Sequence, residues 1–159
     1  MEITDAEILG ITIRIEQQGA IFYKQLAEHI VDTNARDFFL CMSKEESLHE
    51  NQFKRMLQNK GSTLYGWEKQ KAIQDLIEKQ FKTDIFPQIE EIFDQLPKFE
   101  GIQKAVDFAI EAEKVSAEFY SLLGEFCNNF ETKTLLLSME KNERDHLVQV
   151  EALKKQFSK

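Results

Sequence analysis

The sequence predicts an all-α protein, a four-helix bundle made of two antiparallel helix hairpins joined by a long crossover. Three observations carry this. Two prolines and six glycines in 159 residues are too few for a turn-rich all-β chain, and Glu, Lys, Gln, Leu, Ile and Phe favour helix. Apolar residues recur at i, i+3 and i+4 over four long stretches. The first two stretches also repeat in the last two: shifted by 97 positions, Glu16 falls on Glu113 and His49 on His146 without a gap.

The elements follow in order. Thr4-Asp5-Ala6-Glu7 reads as a capping box that opens a helix running to about Ile30. Asp32-Thr33-Asn34 breaks it and caps a second helix, about Ala35 to Asn59, which Gly61, Ser62 and Gly66 end. A third helix runs from about Gly101 to Phe126, and Asn128-Asn129 leads into a fourth, about Glu131 to Phe157. Short links make each pair an antiparallel hairpin, about 5–59 and 101–157, within a single domain of residues 1–159. The crossover, about 60–100, carries structure of its own. Ile73, Leu76, Ile77 and Phe81 fall at helical spacing, and Pro87 can open a short helix through Phe93. Its aromatics (Trp67, Phe81, Phe86, Phe93) are expected to cap the bundle or to face a second subunit, and a homodimer is expected on that ground.

Composition narrows the classes. A net charge of −8 without any basic run argues against nucleic acid and anionic membranes as partners. No apolar run is long enough to span a bilayer, and Met1-Glu2-Ile3-Thr4-Asp5 does not begin a signal peptide. A reducing cytoplasm is the expected location. Cys41 and Cys127 are far apart, form no CxxC, and read as buried free thiols.

The repeat selects the polar residues that matter. Ala20 pairs with Ala117, Phe22-Tyr23 with Phe119-Tyr120, Met42 with Met139 and Glu46 with Glu143. Each half thus carries a Glu, a Tyr seven later, a Glu thirty after the first and a His three beyond that. On helical faces these residues fall on four apolar stripes: Thr12, Glu16, Gly19, Tyr23, Leu26; Phe39, Met42, Glu46, His49, Phe53; Val106, Ala109, Glu113, Ser116, Tyr120; and Leu136, Met139, Glu143, His146, Val150. Four carboxylates facing a core are unfavourable without compensation, and no stripe holds a Lys or Arg. Four Glu, two neutral His and two divalent cations sum to zero charge. Glu-x-x-His sets both groups on one side of a helical turn. One Glu from each of two helices and one Glu-x-x-His from each of the others make a two-metal carboxylate site. Here these are Glu16, Glu113, Glu46/His49 and Glu143/His146. Mixed carboxylate and imidazole donors suit iron or manganese, and zinc more often takes four ligands at a single ion.

At these residues the sequence resembles the rubrerythrin-like and bacterioferritin-like branch of the ferritin-like superfamily, over about Ala6–Leu57 and Gly101–Leu153. The resemblance implies a ferritin-like bundle holding two irons, with manganese or a mixed pair also accommodated. It implies reaction of the reduced centre with hydrogen peroxide or oxygen, with Glu46 and Glu143 bridging and Glu16, Glu113, His49 and His146 terminal. Departures refine it. Ser116 stands where rubrerythrins usually have a further carboxylate, and Ser47 replaces the haem-ligating methionine of bacterioferritin, so no haem is expected. No four-cysteine rubredoxin domain is present in the sequence, so electrons are expected from a separate donor such as rubredoxin. With no fifth short helix, a storage shell is not expected. The short, rubredoxin-free rubrerythrin-like form fits best.

Tyr23 and Tyr120 read as phenols bonded to ligand carboxylates, against plain aromatic core. Gly19 and Ser116 either leave room at the site or let helices approach. His29, at a helix end, reads as a surface or dipole residue, and Glu45, Glu50, Glu111 and Glu118 as solvated. The sequence therefore favours an oxidoreductase that reduces peroxide or oxidises ferrous iron in oxidative-stress defence. A non-enzymatic metal-binding or sensing module and a manganese catalase-like activity are the alternatives.

Overall fold

The computed structural model describes residues 3–58 and 65–157, so Asn59, Gly61 and Ser62 at the expected end of the second helix lie outside the described residues. The described residues form six helices and no strand: α1 (Asp5–Glu28), α2 (Thr33–Gln58), α3 (Lys71–Gln80), α4 (Ile89–Gln95), α5 (Lys98–Glu125) and α6 (Phe130–Phe157). α1 packs along α2 and α5 along α6; α1 also meets α5, and α2 meets α6. This is the expected bundle of two hairpins with helices in the crossover.

Local chemistry explains the boundaries. The Thr4 hydroxyl accepts from the Glu7 amide at 3.1 Å and donates to the Glu7 carboxylate at 3.1 Å, so the two side chains lock the first turn. Asp32 Oδ2 accepts from Ala35 N at 2.9 Å, and Asn129 Oδ1 accepts from Thr132 N at 2.9 Å. These two caps are repeat partners, 97 positions apart, so both hairpins turn on the same device. One boundary differs from expectation. α5 starts at Lys98, directly after Pro97, and not near Gly101. A proline's fixed φ suits the entrance of a helix, and Gly101 then serves packing: a Cβ there would lie 2.8 Å from the Phe93 ring.

The crossover folds back onto the bundle. Ile73, Leu76, Ile77, Phe81, Phe86, Ile89 and Ile92 are buried, and Trp67 is fully so. Trp67 Nε1 donates to the Leu123 carbonyl at 2.8 Å, and the Tyr65 ring stacks on Trp67 with its hydroxyl donating to Met56 O at 3.0 Å. Phe93 stacks on His29, the residue that caps α1, at 3.8 Å between centroids. The crossover aromatics therefore cap this chain's own bundle, the first of the two roles expected of them. The cysteines diverge from their shared reading: Cys127 is buried, but Cys41 is exposed.

Gly66 is the position where the crossover needs a glycine. Its φ is +91°, and a Cβ would sit 3.0 Å from the Phe126 carbonyl. Gly66→Ala should therefore cost about 1–3 kcal/mol, read as a lower midpoint in urea with an unchanged slope.

Candidate metal centre

The four stripes meet in the middle of the bundle. Glu16, Glu46, His49, Glu113, Glu143 and His146 are all buried, the carboxylates to within 2% of full burial. The six form two overlapping groups whose ligand atoms lie within 4.8 Å of one another. One contains Glu46, Glu113, Glu143 and His146, the other Glu16, His49 and Glu143. Each is a set of donors that could hold one cation, and Glu143 belongs to both. Glu46, which the resemblance pairs with Glu143 as a bridge, falls in one group only.

Whether these residues fit a metal pair can be tested on their free valences. Among the described residues, eight buried side-chain oxygen or nitrogen atoms have no hydrogen-bond partner. Six of them are Glu16 Oε2, Glu46 Oε1, His49 Nδ1, Glu113 Oε2, Glu143 Oε1 and His146 Nδ1, one from each site residue. Buried polar atoms are normally satisfied. Here six of the eight belong to the residues of the two overlapping groups, and no Lys or Arg is among the buried residues described. The donor set fits two divalent cations.

The tyrosines tie the halves together. Tyr23 Oη donates to Glu113 Oε1 at 2.6 Å, and Tyr120 Oη donates to Glu16 Oε1 at 2.6 Å. Each phenol reaches the glutamate of the opposite half. Seven residues along a helix is about 10 Å, too far for the glutamate of its own helix. In the antiparallel α1/α5 pair, the partner's glutamate lies level with it.

The histidines are held from outside by residues that sequence reasoning placed in solvent or passed over. His146 Nε2 contacts the Glu45 carboxylate, and His49 Nε2 lies 3.2 Å from Asn142 Nδ2. Glu45 and Asn142 are repeat partners, 97 positions apart. The repeat register held the signal, but unlike residue types hid it. Among the other acidic residues, Glu111 pairs with Lys114 on the surface, whereas Glu50, expected to be solvated, is only 13% exposed where it pairs with Lys54.

The two sides of the site differ. On the crossover side Phe86 packs on Phe22 and Tyr23, while Phe81 packs on Phe119. A Cβ at Gly19 would meet the Phe86 ring at 3.2 Å and Glu46 Oε2 at 3.1 Å, so the space at Gly19 is taken by Phe86. Between α2 and α6 lie two surface grooves. One, of about 260 Å³, includes Glu45, His49, Gln52, Ser138 and Asn142. The other, of about 290 Å³, includes Cys41, Glu45, Asn142, His146 and Gln149. Every residue lining one is the repeat partner of a residue lining the other.

Burial and mutual repulsion raise the site's acids. Burial, then Glu143 and Glu16, lift Glu46 well above the carboxylate range. Burial and Glu143 do the same to Glu113. Glu143 is pushed up to about 8 by burial and by Glu16. Burial lowers the His49 pKa, but contact with Glu16 and the charges of Glu16, Glu45 and Glu113 together outweigh it, and the net shift is upward. Burial and Glu113 raise Tyr23, and burial and Glu16 raise Tyr120, so both phenols stay protonated donors.

A bundle of two helix hairpins with a buried carboxylate–histidine cluster defines the class: a ferritin-like helical protein with a candidate two-metal centre. A sequence model of the rubrerythrin family matches residues 7–154, and the chain belongs to that family. Among solved structures it is similar to a Thermotoga maritima protein described as a ferritin-like diiron-carboxylate protein. The TM-score is 0.75 at 22% identity, over 97% of this chain and 96% of that one. It is also similar to a hypothetical protein from Pyrococcus furiosus. There the TM-score is 0.70 at 24% identity, over 96% of this chain and 89% of that one. No curated protein matches the chain at a significant level.

The raised carboxylates set a pH dependence. The fold without metal holds protons that the unfolded chain releases from about pH 4.5 upward, so its stability falls as pH rises towards about 8. In chelator, the melting temperature should drop between about pH 5 and 8, and added ferrous or manganous ion should raise it most at the upper end. A melting temperature insensitive to both would contradict this account of the site. Tyr23→Phe should cost about 1.5–3 kcal/mol, the loss of a hydrogen bond to a charged group, in the metal-loaded protein.

Proposed function

We propose that this protein is a di-iron oxidoreductase that reduces hydrogen peroxide, using electrons from a separate donor such as rubredoxin. The observation that carries the reading is the convergence of six unsatisfied ligand atoms, from four Glu and two His, at the centre of the bundle. Membership of the rubrerythrin family supports iron as the metal. Manganese satisfies the same donors. We also propose the cytoplasm as the location. No helix among the described residues is long and apolar enough to cross a membrane.

Glu16, Glu46, Glu113, Glu143, His49 and His146 would hold the pair. When bound, two ferrous ions supply the two electrons that peroxide takes up, with two protons, to give two waters. The chain's residues do the rest. The phenols of Tyr23 and Tyr120 hold Glu113 and Glu16 in place by hydrogen bonds of 2.6 Å. Glu45 and Asn142 orient the two imidazoles from their outer edges. Phe81 and Phe86 keep water off the crossover side, while the α2/α6 grooves admit an oxidant as small as peroxide. Oxidation of ferrous iron by oxygen would use the same residues and the same grooves.

Elemental analysis of protein prepared with iron should find about two iron per chain, lost in a Glu46→Ala/Glu143→Ala double variant. The loaded protein, given peroxide and a reduced donor, should turn over steadily. Stoichiometric metal with no peroxide consumption would favour a structural or sensing role. Oxygen evolution without a donor in manganese-loaded protein would favour catalase-like chemistry. Absence of bound metal after loading would end the oxidoreductase reading.

A further inference from the structure

We infer that Glu45 and Asn142 are positioning residues that make the two cation positions unequal, so that the pair fills in order, with the position at His146 first. The inference rests on the metal-centre reading above and concerns how that site is loaded.

The two halves match at all six site residues and both tyrosines, but not at the residues that hold the histidines. His146 Nε2 faces the carboxylate of Glu45, and His49 Nε2 faces the amide of Asn142. In both rings Nδ1 is the atom turned towards the carboxylates: His49 Nδ1 lies 3.3 Å from Glu143 Oε1, and His146 Nδ1 lies 4.0 Å from Glu113 Oε1. A cation at Nδ1 requires the ring proton on Nε2, where it is donated outwards. At His146 the acceptor is then a carboxylate, which draws the proton and enriches the electron density at Nδ1. At His49 the partner is the neutral amide of Asn142, 3.2 Å away, whose oxygen can accept that proton. A negative charge supports one imidazole, and a neutral amide dipole supports the other.

The inner donors point the same way. Glu46, Glu113 and Glu143 gather around His146, while Glu16 and Glu143 gather around His49. The position with the carboxylate-backed histidine is also the one with three carboxylates. Both differences favour a divalent cation there.

Anaerobic titration of the metal-free full chain with cobalt(II), followed by visible absorption and calorimetry, tests this. The wild type should take up two equivalents in two resolved steps, tenfold or more apart. Glu45→Gln should weaken the first step by about 10–100-fold, the usual scale for removing such a support. Asn142→Asp should tighten the second and draw the steps together. Both substitutions nearly preserve shape, and circular dichroism on the same samples confirms folding. Two indistinguishable equivalents in the wild type, or two steps unmoved in both folded variants, would overturn the inference and leave the metal centre standing. Failure to bind any cobalt would overturn the centre and this inference together.

Discussion

Four glutamates buried side by side on the inner faces of four helices form the constraint on which the rest of this structure depends. An ionised carboxylate away from water costs several kcal/mol unless charge and hydrogen bonds compensate it. No buried lysine or arginine among the described residues does so. Two phenols satisfy one oxygen each of Glu16 and Glu113, and the imidazoles approach within ion-pair distance. What remains is a ring of orphaned oxygen and nitrogen atoms and acids pushed far up their titration range. A bundle of this size could fill its centre with leucine and gain stability. The polar centre carries a cost in stability that a cation pair would remove.

The crossover makes sense in the light of the same constraint. Charge interactions strengthen where water is excluded. Phe86 lies in the space that Gly19 leaves, against Glu46, while Phe81 packs on Phe119. Phe22 and Phe119, the two rings they meet, are repeat partners, so one connecting segment seals both halves. Trp67 and Tyr65 anchor that segment at the bundle's end through Leu123, Met56 and Asp5. On the opposite face two grooves run between α2 and α6, where Glu45 and Asn142 contact the histidines.

Much of this was legible in the chain because a helix turns one-dimensional spacing into a face. Glu16, Glu46, Glu113 and Glu143 sit among apolar neighbours at i, i+3 and i+4, and that pattern alone turns them inward. The caps at Thr4, Asp32 and Asn129 depend on neighbours three residues away and could be read directly. Gly101 resembles a helix boundary in sequence, but α5 starts at Lys98 and Gly101 makes room for Phe93. Cys41 departs from the usual burial of a free thiol because it stands one residue, about 100° around the helix, from the buried Met42.

The sequence by itself determined the helices, their inward faces and the pairing of like with like across the repeat, since each follows from local geometry and a fixed offset. Only the tertiary structure decided which residues meet across that repeat. Tyr23 binds Glu113 and Tyr120 binds Glu16 because α1 and α5 run antiparallel. Glu45 stands behind His146 and Asn142 behind His49 because α2 and α6 do the same. A helical face is set by the 3.6-residue turn. The side chain that faces it is set by how far one helix slides and rotates against another, and no spacing along a single chain contains that distance.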